Sequence, residues 1–432
     1  MATLRRNRET FVFMSGDSFI SSNKCETEKI KIPDIVKEPK DEEKPQSTAD
    51  DKSVNKNFIL ASAFSASGKY FAVGDNCKQL HVYKVSPKWE LVSTRLVPSR
   101  CTAITFPQNE KEVVVADRTG DVYKFSLIDT SASGELILGH LSLILDIAMS
   151  SDDKYIITCD RDEKIRISHY PNAYNIHAYC LLHSECVSQV LYLKEFSCLV
   201  SGSGDGTLAS WTLDGKNICQ TNTVSHTCKK GQGDTNSKNS SVVPMVTNDV
   251  CQGQGQDEGQ GQGEGQTEVD GQNELPGVKK MIYSQELNVI AVIYYGLKQL
   301  NFFSVEEHKN GCTLTENSHN TLTEEPWDIC FGDHHSVWIL QHCEEKPVLV
   351  YECTKDSRGN IQVNERIADQ TQKLLCDKWS FFKASIDCPK LSMRLQKIQP
   401  HNNVQKYLEK KEERINAQKN KQQPPQKKLK TS

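Results

Sequence analysis

The sequence predicts an all-β fold, a seven-bladed β-propeller, on three observations. A unit of short apolar strands separated by polar turns recurs with a step of 42 to 43 residues. Aromatic residues return at one fixed place in most of these units. The stretches that break the rhythm are polar, and they fall between units, where a loop can lengthen without disturbing a sheet.

Four units stand in succession: ASAFSASGKYFAVGDNCKQLHVYKV (61–85), TAITFPQNEKEVVVADRTGDVYKFSL (102–127), LDIAMSSDDKYIITCDRDEKIRIS (145–168) and VSQVLYLKEFSCLVSGSGDGTLASWTL (187–213). The residue that opens the tight turn in each is Asp75, Asp117, Asp160 or Ser203, at steps of 42, 43 and 43. Eight residues further on stand Tyr83, Phe125, Ser168 and Trp211, mostly rings that can pack between sheets. Gly139-His140 precedes the third unit, and Leu182-His183 takes the same place before the fourth. Ser210-Trp211 stands where a WD40 repeat reads Trp-Asp, so the units are WD40 blades. His140, Ser150 and Asp160 are expected to form a buried hydrogen-bond chain to the closing residue, altered here because Ser168 replaces tryptophan.

After Trp211 the rhythm stops, then resumes. KKMIYSQELNVIAVIYYGLKQLNFFSV (279–305) aligns with the first unit and puts Tyr295 on the ruler position; a sixth unit is WDICFGDHHSVWILQHCEEKPVLVYE (327–352). The excess length lies in 224–275, with its run GQGQDEGQGQGEGQTEVDGQ. Such Gly/Gln/Glu repeats bury too little apolar area to offset ordering entropy, which predicts a disordered insertion. The charged stretch 24–56 predicts a second one. TFVFM (10–14) and KWSFFKA (378–384) remain as end strands, and pairing them predicts a seventh, composite blade that removes the free sheet edges. The organisation expected is a propeller over 1–390 followed by a basic tail over 391–432.

Composition narrows the function classes. Mean hydropathy is −0.56, low for one compact globule and consistent with polar additions to a folded core. MATLRRNRET lacks a secretory apolar run, and nowhere do 18 apolar residues follow one another, so neither export nor a membrane span is expected. Sixteen cysteines are spread singly with no C-x-x-C pair, which argues against a metal site and for a reducing compartment. Cys159 and Cys330 sit in apolar runs as small hydrophobes. The net charge of −4 hides an acidic body and a basic tail: 390–430 carries 12 Lys or Arg against three Glu.

No catalytic constellation is present: no G-x-S-x-G elbow, no phosphate loop of the G-x-x-x-x-G-K-[ST] kind and no H-E-x-x-H. Gly202-Ser203-Gly204-Asp205-Gly206 lies between two strand runs with no helix after it, and reads as a tight turn. His334-His335 point to opposite faces of any strand and do not pair with His342 and Cys343 to hold a metal. No cofactor is expected. DRDEKIR (160–166) is the most charge-dense stretch within a blade. It reads either as a solvated turn or as a docking edge, with Asp162, Lys164 and Arg166 on one face and Arg166 able to grip a carboxylate.

The tail opens with a helical pattern, Val404, Leu408 and Ile415 recurring at helical spacing before Pro424-Pro425 stop it. It reads as a solvated tail or as a salt-sensitive contact to phosphates. Lys427, Lys428 and Lys430 form a short basic cluster suited to nuclear import, so a nuclear location is expected.

DRDEKIR followed by the SGSGDGTL blade, a D-K-W segment near the end and a Lys-rich tail resembles the WD-repeat non-catalytic subunit of tRNA (guanine-N7)-methyltransferase. The resemblance covers about 58–385 and reaches into the tail; the two insertions lie outside it. It implies a scaffold, not an enzyme, in a heterodimer with a Rossmann-type, S-adenosylmethionine-dependent catalytic subunit. That subunit engages tRNA and methylates N7 of a variable-loop guanine. It also implies that Arg166, then Lys164 and Asp162, face the partner, and that Lys406, Lys410, Lys411 and Arg414 lie near RNA. The alternative is a WD-repeat substrate receptor of a ubiquitin ligase or chromatin complex.

Overall fold

A computed structural model describes residues 2–7, 10–23, 26–34, 57–223, 276–366 and 370–383. These form seven four-stranded antiparallel sheets, each built from four consecutive strands. Blade 1 comprises Thr3–Asn7, Thr10–Ser15, Ser18–Asn23 and Glu26–Lys31. Blades 2 to 7 span Ile59–Leu96, Cys101–Gly139, Ile144–Cys180, Val187–Asn222, Val278–Thr321 and Pro326–Glu365. The first strand of every blade packs beside the first strands of both neighbours, and Thr3–Asn7 closes the ring between Ile59–Phe64 and Pro326–Phe331.

Position in the blade explains composition. Second strands lie between neighbouring sheets and are covered on both faces, so Val289–Tyr294 and Ser336–Gln341 are buried at every position. Outer strands such as Ile176–Cys180 have one wet face and are more polar. Tyr83, Phe125 and Trp211, expected between sheets, are all buried there. Cys159 and Cys330 are buried in apolar clusters. No described helix is long and apolar enough to cross a membrane.

The seventh blade is not composite. Blade 1 comes whole from the N-terminal residues and blade 7 whole from Pro326–Glu365, so no place is left for a C-terminal strand. Residues 378–384 do not form the expected strand: Lys378 lies in the turn between two short helices, Gln370–Cys376 and Trp379–Lys383, and Ala384 lies outside the described residues. Leu375, Trp379 and Phe382 recur at a helical step, the periodicity that the strand reading overlooked. Phe382 and Leu375 are buried against Phe13 and Leu4 of blade 1 and Leu340 and Val348 of blade 7. The Ser15 hydroxyl donates to the Phe381 carbonyl at 2.7 Å and Gln372 Nε2 to that of Val348 at 3.0 Å. A helical clasp thus covers the seam where the ring closes.

The first insertion begins later than expected, because Glu26–Lys31 pairs with Ser18–Asn23 as the outer strand of blade 1. Its charges suit an exposed edge. Residues 35–56, 224–275 and the whole basic tail lie outside the described residues. The second insertion is placed between Asn222 and Val278, hence between blades 5 and 6.

Blade 5 carries a complete relay. Trp211 Nε1 donates to Ser201 Oγ at 2.8 Å, His183 Nε2 meets the same hydroxyl at 2.8 Å, and His183 Nδ1 lies 3.0 Å from Asp205 Oδ2. Ser203–Gly206, the glycine-rich run, is the tight turn between the second and third strands, with Gly206 at φ 75°.

Candidate docking face on blade 4

The turns joining second to third strands and the links joining blades lie on one face of the disc, here the upper face. Backbone bonds stitch them together: Arg161 N–H donates to the Leu143 carbonyl at 2.9 Å and Gly204 N–H to that of Cys186 at 2.8 Å. DRDEKIR occupies this face at blade 4. Asp160 organises it, its Oδ1 accepting from the amides of Asp162 (2.9 Å) and Lys164 (3.0 Å). Its Oδ2 lies 3.0 Å from His140 Nδ1, whose Nε2 is 2.7 Å from Thr158 Oγ1.

Thr158 therefore fills the place expected for Ser150. Ser150 sits at the other end of the blade, donating to Asp152 at 2.7 Å and accepting from the Tyr155 amide at 2.9 Å. A threonine two residues before the turn aspartate, matched by Ser201 in blade 5, was the signal that could have found it.

The three proposed contact residues do not share one strand face. Asp162 and Lys164 stand in a turn with Glu163 at φ 71°, and the strand begins only at Ile165. Lys164 is exposed, with Nζ 3.0 Å from the Asp162 carbonyl. Arg166 is 7% exposed. Its Nη1 donates to the Gly139 carbonyl of blade 3 at 2.9 Å and its Nε to Ser168 Oγ at 3.2 Å. Burial pushes its pKa down, opposed by Tyr179 and Asp160. Arg166 thus ties the outer strand of blade 3 to blade 4 from beneath, and Ser168 keeps the space that tryptophan would fill.

Around this charged turn lies apolar surface that the charge pattern did not single out. Leu141 is fully exposed, Leu181 is 65% exposed, and Leu136, Tyr179 and Leu182 are also open. A shallow hollow of about 270 Å³ is lined by Asp162, Glu163, Lys164, Leu181, Leu182 and His183. Leucines immediately after the Gly-His position, as in GHLSL, were the available sign. Apolar side chains ringed by charges on rigid turns are the composition of a protein-docking patch.

A family model described as the tRNA methyltransferase TRM82 WD40 domain matches residues 15–135 and 129–363. The tRNA (guanine-N(7)-)-methyltransferase non-catalytic subunit of Danio rerio is 32% identical over 422 residues, covering 96% of this chain and 87% of the relative. The chain belongs to this family. The Homo sapiens subunit of the same description is 31% identical over 82% of this chain and 76% of its own length. The Drosophila melanogaster subunit wuho is 40% identical over 37% of this chain and 38% of its own. A chain of a solved mitotic checkpoint complex matches with TM-score 0.55 over 85% of this chain and 87% of its own, at 12% identity, which speaks for the propeller alone.

The family is one of non-catalytic subunits, and its model runs from Ser15 in blade 1 nearly to the end of blade 7. The remaining polar clusters read structurally. His334 and His335 lie in the turn before Ser336–Gln341, where His335 faces Glu286 at 3.2 Å. His342 is at the other end of that strand, stacked on Trp327 and Trp379. Six extended residues, about 20 Å, keep them apart. Lys406, Lys410, Lys411, Arg414, Lys427, Lys428 and Lys430 lie outside the described residues.

Proposed function

We propose that this chain is the scaffold subunit of a tRNA (guanine-N7)-methyltransferase. It holds a catalytic subunit in a heterodimer and aids engagement of tRNA for N7-methylguanosine formation in the variable loop. One observation carries the reading: a relative described as the non-catalytic subunit of this enzyme aligns over 96% of this chain. The upper face of blade 4 supports it, since its open leucines and charged turn are what a protein partner would cover. Methyl transfer and its S-adenosylmethionine belong to the partner in this reading.

Asp162 and Lys164 supply surface contacts, while Arg166 acts from below by holding the turn and the blade 3 edge in place. Basic residues of the tail, Lys406, Lys410, Lys411 and Arg414, add phosphate contacts, and the cluster at Lys427, Lys428 and Lys430 directs the protein to the nucleus. The test is to co-express the Arg166→Leu chain with the catalytic subunit and quantify tRNA N7-methylguanosine. Loss of both complex and modification, with the propeller still folded, is the expected result. Wild-type assembly and modification in that variant would remove Arg166 from the account.

A further inference from the structure

We propose that the upper face of blades 2 and 3 binds the RNA phosphate backbone through Lys78, Arg100 and Arg118. This deepens the scaffold reading above and rests on it for the identity of the RNA.

The three residues occupy successive loops whose backbones are bonded to one another. The Lys78 carbonyl accepts from the Val97 amide at 2.8 Å, and the Arg100 carbonyl accepts from that of Arg118 at 2.9 Å. Arg100 Nε reaches back to the Asn76 carbonyl at 3.2 Å, from blade 3's entry to blade 2's turn. The strip is therefore a rigid mount for three exposed side chains.

Among the described residues, none of the three has a carboxylate within ion-pair distance. The nearest acids in sequence, Asp75 and Asp117, are wholly buried and committed elsewhere. Asp75 Oδ1 accepts from the amides of Cys77 (2.9 Å) and Gln79 (2.8 Å), and its Oδ2 faces His81 at 3.2 Å. Asp117 Oδ1 accepts from the amides of Thr119 (2.8 Å) and Asp121 (3.2 Å).

Cations across the same face are treated differently. On blades 6 and 7, Lys298 pairs with Glu324 at 3.0 Å, Lys279 with Glu325 at 3.2 Å and Lys346 with Glu365 at 3.1 Å. Among the described residues these three lysines are neutralised in place, whereas Lys78, Arg100 and Arg118 are not. Cations strung along three consecutive loops match the repeating charge of a phosphate backbone and read no base. The apolar patch on blade 4 remains free for the protein partner beside it.

The test uses the full chain, alone and in complex with the catalytic subunit, with Lys78→Ala, Arg100→Ala and Arg118→Ala combined. Binding of a tRNA is followed by fluorescence anisotropy from 50 to 200 mM salt. The expected result is wild-type thermal stability and heterodimer formation, about a tenfold loss of affinity, and a salt slope shallower by about 2 to 3. The charge-preserving pair Arg100→Lys and Arg118→Lys should keep the wild-type slope. Unchanged affinity and slope in the triple variant would overturn the proposal, and so would loss of the heterodimer, which would assign the strip to protein contact. A wild-type chain that binds no methyltransferase, yet loses tRNA when the strip is removed, would overturn the scaffold reading and leave this one standing.

Discussion

Trp211 and Ser168 hold equivalent places in successive blades, and the difference between them decides what each blade can do. In blade 5 the indole closes a relay through Ser201 and His183, both buried, to Asp205 in the tight turn. Trp211→Phe removes the donor at the end of that relay and should cost about 1–2 kcal/mol, read from the urea midpoint. Burial alone would raise the pKa of Asp205, but the hydrogen bond and charge of His183, with Thr207 and the Ser184 amide, hold it at about 2. A carboxylate depressed in the folded state stabilises the fold at neutral pH. That contribution is lost as pH falls from about 4 towards 2. Asp205→Asn should therefore show a smaller drop in Tm than wild type between pH 4.5 and 2.5; an identical acid limb would mean that the relay is not what sets it. In blade 4, Ser168 leaves room for the Arg166 guanidinium, which spans from Gly139 to Ser168. The charge of DRDEKIR was legible in the sequence, but its burial was not, because whether an arginine points outward or inward depends on the neighbouring sheet.

At the scale of elements, the second strands were the most legible, since burial on both faces makes them continuous apolar runs that recur at a fixed step. Blade 1 was legible only at TFVFM, 10–14. Its outer strand ETEKIK looks like a charged linker, and only its pairing with Ser18–Asn23 makes it a strand. The C-terminal clasp was misread for the opposite reason: WSFFK is rich in β-formers, yet tertiary packing onto two blades favours a helix there. Phe382 is wholly buried at the seam between blades 1 and 7. Phe382→Ala should cost about 3–5 kcal/mol in chemical denaturation. A loss below about 1 kcal/mol would show that the ring closes without the clasp.

For the molecule as a whole, ring closure rests on two layers. Inside, Asp328 of blade 7 accepts from the Leu4 amide at 2.8 Å and pairs with Arg5 at 3.1 Å and with Lys280 of blade 6, so three blades share one buried carboxylate. Outside, the helical clasp covers the seam. A disc closed in this way holds its upper-face loops in fixed relation, which is what a scaffold needs. It presents open leucines on blades 3 to 5 beside unpaired cations on blades 2 and 3. The most direct measurement is assembly itself: Leu141→Asp with Leu181→Asp in the full chain, co-purified with the catalytic subunit and assayed for N7-methylguanosine. Both side chains are exposed, so the variant should melt within a few degrees of wild type while losing the heterodimer and its methylation. A partner that assembles and methylates tRNA at wild-type levels with this variant would contradict the scaffold face described for blade 4.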